Sequence, residues 1–250
     1  NAMVQTRFGA ALAEAQAADE QLRRGEIIGP LHGVPMTIKD SFDTADLIST
    51  GGTKGRATYV PAQDATVVAR LRAAGAILLG KTNTPELTLQ VITDNYVYGR
   101  TNNPYAVART PGGSSGGAAA IIAAGGVPFD IGTDTGGSIR LPSHCCGTAG
   151  LKPTAGRVPR TGHIISYDIG HMDLLTHVGP MARYVEDLGL LLPIIGGSDW
   201  RDPVIVPAPL GEARDVALSS LRVAYYCDNG IATPTQETVQ VVEQAANALG

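Results

Sequence analysis

The sequence predicts an α/β layered fold, and three observations carry that expectation. Short apolar runs bounded by turn residues alternate with segments whose apolar residues recur at helical spacing. Glycine supplies 31 of the 250 residues, where about 7 % is usual, and the excess gathers between Gly112 and Gly156, where tight turns or close backbone approach must lie. Hydrophobic residues make up 44 % of the chain, enough at this length to bury a sizeable core.

Taken in order, Asn1-Ala2 before Met3 reads as a scar of tag cleavage and is set aside. The alanine-rich residues 4–24 read as a peripheral helix that closes on two arginines and Gly25. Residues 33–40 form a short apolar strand whose polar tip carries Lys39. Asp64 is placed to cap a helix with Val67, Val68 and Leu71 on one face and Gly75 at its end. Residues 76–80 then read as a buried strand, 117–124 as a helix stopped by Gly125-Gly126, and 127–131 as another strand. Beyond Pro180, residues 183–195 read as an apolar helix, 222–226 as a strand, and 234–249 as an amphipathic helix begun by proline. No repeat or linker divides these elements, so a single catalytic domain over residues 1–250 is expected.

Lys plus Arg number 19 and Asp plus Glu 23, for a net charge of -4, with no dense basic run that would track a phosphate backbone. Nucleic acid is therefore excluded as an expected partner. No apolar stretch approaches the ~20 residues that span a bilayer, and the start is not a charged region before a hydrophobic core, so a membrane-free, cytoplasmic protein is expected. Cys145, Cys146 and Cys227 make neither a disulfide framework nor a zinc spacing, and His144, His163, His171 and His177 show no metal-type pairing. No metal or organic cofactor is expected, and the adjacent cysteines read as core fillers.

The chemistry concentrates in PGGSSGGAAA, from Pro111 to Ala120, and GTDTGGSIRLPSHCCGTAGLKPT, from Gly132 to Thr154. Each places a Ser-Gly cluster beside an apolar element, which is how a chain presents main-chain N–H groups and a hydroxyl at one surface. Physics alone suggests an anion or oxyanion site there. A lone serine in a glycine loop is ordinarily a turn residue, and a lone lysine a surface residue.

Those motifs, with GVPMTIKD upstream and CGTAGLKPT downstream, resemble the amidase signature family. Further matches at NTPE (Asn83 to Glu86), TNNPY (Thr101 to Tyr105), GRVPRTG (Gly156 to Gly162) and GPMAR (Gly179 to Arg183) extend the resemblance over nearly the whole chain. The resemblance implies an α/β/α sandwich around a mixed β-sheet, C-terminally truncated here because family members are longer. It also implies Ser138 as the acyl-accepting nucleophile, Ser114 as the bridging serine and Lys39 as the base. The Gly113-Ser114 peptide is expected to be cis, and Thr135, Gly136, Gly137 and Ser138 to form the oxyanion hole. Met172 and Asp173 are placed at the substrate entrance. The implied reaction is hydrolysis of a small-molecule amide through an acyl-enzyme, with a homodimer as the conceivable assembly.

A lysine works as such a base only when neutral, and its ammonium ordinarily titrates near ~10.4, so burial must depress it by several units. Val34, Met36 and Ile38 are expected to supply that burial. Asp40 would oppose it in contact, but strand alternation points adjacent side chains to opposite faces. Arg140 is expected to hold its loop through Asp134.

Three alternatives remain at this stage. Gly112 to Gly116 fits G-x-S-x-G, making Ser114 the nucleophile of an α/β-hydrolase-type esterase with Asp168 and His171 or His177 as partners. The glycine loops alone fit a non-catalytic phosphate- or nucleotide-binding module, although no G-x-x-x-x-G-K-[ST] occurs. The glutaminase A subunit of a tRNA-dependent amidotransferase shares the motifs; it ranks below a free-standing amidase because residues 170–174 do not resemble that subunit's serine-rich stretch.

Overall fold

Among the residues that the computed structural model describes, 1–164 and 174–249, six strands are interspersed with six α-helices. They are β1 (Met3–Thr6), α1 (Phe8–Arg23), β2 (Pro35–Lys39), α2 (Thr66–Ala73), β3 (Ile77–Thr82), α3 (Gly116–Ala123), β4 (Phe129–Asp134), α4 (Arg140–Cys146), β5 (Ala149–Gly150), β6 (His177–Ala182), α5 (Val185–Ile195) and α6 (Gln236–Leu249). The α/β class read from the alternation is the class observed. The expected mixed sheet appears as two three-stranded sheets. In β1-β3-β2, β1 runs antiparallel and β2 parallel to β3; β4-β6-β5 is antiparallel throughout. The two are tied by the Thr37 hydroxyl of β2, which donates to Asp130 of β4 at 2.6 Å.

Side-chain alternation along β6 shows how helices come to lie on both faces. Val178 and Ala182 enter a core shared with Met36, Ile38 and Leu78 and with Leu71 of α2 and Leu191 of α5. Met181 points the other way, into a second cluster with Ala118 and Ile122 of α3 and with Ile139 and Cys146 around α4. Almost every residue of α3 is buried, and its alanines and glycines let neighbouring backbone approach closely.

Several expectations are corrected. Residues 3–6 form a strand rather than the start of the first helix, because their main chain completes the open edge of β3. Asp64 does not cap α2: its carboxylate accepts the Ala45 N–H at 2.7 Å and pairs with Arg72 at 2.8 Å, and no side chain caps the helix. Residues 222–226 form no strand, since no ladder partner meets them among the described residues and a strand without one has no paired backbone. No element was expected at residues 177–182, yet β6 is the central strand of its sheet. Pro180 sits opposite Ile131 and its carbonyl accepts the Leu151 N–H at 3.0 Å.

By contacts the chain divides into two units, Asn1–Ala208 and Pro209–Gly250. The second unit contains α6, where Val239, Val242 and Ala246 are the half-buried positions, at helical spacing. No helix among the described residues is long and apolar enough to cross a membrane.

Candidate active site

Three element ends converge in the first unit: the end of β2, the start of α3 and the end of β4. Lys39, the last residue of β2, is fully buried. Its Nζ lies 2.7 Å from Ser114 Oγ, 3.0 Å from Ser115 Oγ and 2.8 Å from Thr133 Oγ1. Alternation in β2 separates it from its neighbours: Met36 and Ile38 enter the apolar core, so the burial of Lys39 does not come from them. It comes from the hydroxyl-lined space between the α3 loop and β4. Asp40 likewise turns away, accepting the N–H and hydroxyl of Thr50.

The loop before α3 and the first turn of α3 thread between backbone segments that only glycine admits. A Cβ on Gly113 would lie 2.8 Å from the Val91 carbonyl carbon, and one on Gly117 would lie 2.4 Å from the Asn83 nitrogen. The Gly113-Ser114 peptide is cis. The Ser115 N–H donates to the Ser138 carbonyl at 3.1 Å and so lays the two Ser-Gly loops side by side. Lys39 and Ser114 are thus in direct contact, and Ser138 joins them through the main chain. The half-buried Ser138 hydroxyl has no hydrogen-bond partner among the described residues.

Asp134 organises the loop that carries Ser138. Its carboxylate accepts the N–H groups of Gly137 (2.8 Å), Ile139 (3.1 Å) and Arg140 (3.3 Å), and the Arg140 guanidinium at 3.0 and 2.9 Å. Burial pushes its carboxyl up, but the Arg140 side chain and these N–H groups outweigh that and hold it well below the usual carboxylate range. One expected oxyanion donor is therefore differently employed: the Gly137 N–H points to Asp134, in a backbone with φ +114° that favours glycine. The N–H groups of Thr135, Gly136 and Ser138 have no partner among the described residues.

Burial lowers the Lys39 amine to about 7, against the opposing pull of Asp130 and Asp134. A second fully buried lysine, Lys81 of β3, donates to the Phe42 carbonyl, to Thr44 Oγ1 at 2.7 Å and to Ser49 Oγ at 3.1 Å. Burial brings it to about 8, with Asp40 pulling upward. The charge of Asp40, the feared antagonist of Lys39, thus faces Lys81.

Met172 and Asp173 lie outside the described residues, as do Asp168 and His171. The esterase alternative needs a histidine at Ser114. Lysine stands there instead, Ser114 is fully buried, and His177 Nδ1 bonds the Leu175 carbonyl at 2.6 Å. Among the described residues no group of three or more His, Cys, Asp or Glu could hold a metal ion. Sequence reasoning missed Ser115 and Thr133 as ligands of the lysine. Both stand inside the quoted motifs, but alternation alone gives no sign that they meet Lys39.

The sequence matches the protein family described as Amidase over residues 1–250. It is 42 % identical to the A subunit of the glutamyl-tRNA(Gln) amidotransferase from Chloroflexus aggregans, over 96 % of this chain and 50 % of that protein. Among solved structures, 6-aminohexanoate cyclic dimer hydrolase with its substrate is 33 % identical with a TM-score of 0.84, covering 100 % of this chain and 51 % of that one. The peptide amidase of Stenotrophomonas maltophilia is 38 % identical with a TM-score of 0.76, covering 83 % of this chain and 42 % of that one. The chain therefore spans about half the length of the curated relatives it matches.

Proposed function

The chain belongs to the amidase family, and on that premise we propose that it hydrolyses small-molecule carboxylic amides through an acyl-enzyme on Ser138, with Lys39 as base and Ser114 as the bridging hydroxyl. The observation that carries the proposal is the contact of a fully buried lysine with Ser114 at 2.7 Å.

Hydrogen-bond accounting gives the relay a direction. A neutral amine has two hydrogens and one lone pair. The Ser115 hydroxyl directs its hydrogen to the Thr133 carbonyl at 3.3 Å and receives the Thr133 N–H at 3.3 Å, so toward Lys39 it accepts. Ser114 Oγ has no described partner but Lys39, so its hydrogen is free to meet the lone pair. In the proposed step Ser114 passes its proton to Lys39 and takes that of Ser138, whose Oγ attacks the amide carbon. The free N–H groups of Thr135, Gly136 and Ser138 receive the developing oxyanion, each such donor being worth ~10²–10³ in rate. The proton returns through Ser114 to the leaving nitrogen, ammonia or an amine departs, and water hydrolyses the ester by the same relay. The cytoplasm is the setting that this proposal keeps.

A second function has its own support in the 42 % identity to an amidotransferase chain. In that case the same relay would release ammonia from an amide for a partner protein. Residues 170–174, on which the sequence distinction rested, lie largely outside the described residues.

Treatment with a fluorophosphonate, followed by intact-mass analysis and peptide mapping, tests the chemistry. Labelling is expected at Ser138 and is expected to vanish in Lys39→Ala; attachment at Ser114 would overturn the assignment. Turnover of glutamine against aliphatic and aromatic amides separates the two functions.

A further inference from the structure

The proposed relay leaves one buried carboxylate beside Lys39 without a role. Asp130 of β4 is fully buried; its Oδ2 accepts the hydroxyls of Thr37 at 2.6 Å and Thr82 at 2.9 Å, while its Oδ1 is buried without a hydrogen-bond partner. Both threonines flank the lysine: Thr37 stands two residues before it in β2, and Thr82 is its register partner on β3.

The charges around Lys39 come from each element packed on it. β4 supplies Asp130 and Asp134, and the α3 loop supplies only the hydroxyls of Ser114 and Ser115. Lys81 on β3 is the other cation near Asp130. Asp134 is matched by the Arg140 guanidinium and three N–H groups, so much of its field is answered locally. Asp130 has no such cation bonded to it.

We propose that Asp130 is a positioning residue for Lys39: pinned by Thr37 and Thr82, its carboxylate supplies the negative charge that governs how readily the lysine amine takes and returns a proton. The electrostatic directions agree. Burial raises the Asp130 carboxyl to about 6, with Lys39 among the groups drawing it down, and Asp130 is the foremost carboxylate opposing the effect of burial on Lys39. Without it, the buried amine would hold its proton still less readily and be a poorer acceptor for Ser114. With it, the amine exchanges its proton near neutral pH, where a general base works best. The consequence for catalysis rests on Lys39 being the base, as proposed above.

The titration of Lys39 can be read without any turnover. The chain contains four lysines, Lys39, Lys54, Lys81 and Lys152, so lysine labelled with ¹³C at Cε gives an NMR spectrum that Lys39→Met and Lys81→Met assign. In Asp130→Asn, which keeps an acceptor for the threonine hydroxyls, the Lys39 midpoint is expected to fall by about 1 unit or more. Lys81 should move less, and Lys54 and Lys152 should stay in place. Should that variant not fold, Thr37→Val reads the same coupling, because a carboxylate that loses a hydroxyl donor ionises less readily and Lys39 again falls, by a smaller step. A Lys39 midpoint that stays put in the folded variants overturns the proposal. If the midpoint falls while the pH dependence of Ser138 fluorophosphonate labelling does not follow, the influence of Asp130 is upheld and the base role of Lys39 is what fails.

Discussion

Replacing Lys39 by methionine should stabilise the fold at neutral pH while abolishing Ser138 labelling, and the gain should vary with pH in a defined way. The amine titrates at about 7 in the folded chain and near ~10.4 in the unfolded one. Between these values the unfolded state holds a proton that the folded state lacks, so this lysine's contribution to wild-type stability rises with pH by about 1.4 kcal/mol per unit. The destabilisation is therefore fully present below pH 7 and relieved as pH climbs toward ~10. A shift of this size corresponds to roughly 4–5 kcal/mol at pH 7. Methionine removes that liability but gives up the contacts with Ser114, Ser115 and Thr133, worth about 1 kcal/mol each, leaving a net gain of about 1–2 kcal/mol. Lys81 contributes equally to both proteins and cancels. Urea unfolding of wild type and Lys39→Met at pH 7, 8 and 9 measures the difference directly. Because the folded amine is half protonated at pH 7, the advantage of the variant should shrink by about 2 kcal/mol across those two units. A difference that does not change with pH would refute the claim that this lysine is held neutral by burial.

Two further outcomes test the surrounding architecture. Asp134→Ala should lose about 2–3 kcal/mol, because three N–H groups of the Ser138 loop lose their acceptor, and labelling should slow ~100-fold as the oxyanion donors loosen. Its carboxylate titrates lower in the folded state, so its contribution is present above ~4 and fades as pH falls through the folded value; urea midpoints at pH 7 and pH 3 should therefore differ less in the variant. Gly132→Ala would bring a Cβ to 2.8 Å from both Met181 Sδ and Ser115 Oγ, so it should lose about 1–3 kcal/mol and displace Ser115 from Lys39. An unchanged melting temperature together with an unchanged labelling rate would show that this space is less filled than the structure has it.

The order of elements was legible because periodicity and glycine punctuation are local properties. The helix of residues 66–73 and the strand at Lys39 follow from them directly. Local signals misled where a partner decided the outcome. Residues 4–6 sit directly before an alanine-rich helical run but complete the edge of β3, and Pro180 belongs to a central strand because a neighbour needs its carbonyl rather than its nitrogen. Arg222 to Tyr226 has a strand-like composition and no strand to pair with among the described residues.

The sequence by itself determined the family, the glycines that allow the two serine loops to approach other backbone, and the candidates Lys39, Ser114 and Ser138. Only the tertiary structure decided what surrounds the lysine. Its contacts reach 75, 76 and 94 positions along the chain, to Ser114, Ser115 and Thr133, and no local pattern encodes pairings at that separation. The lowering of its proton affinity is a property of the closed space those distant segments make together, because burial removes the water that would otherwise stabilise the charge.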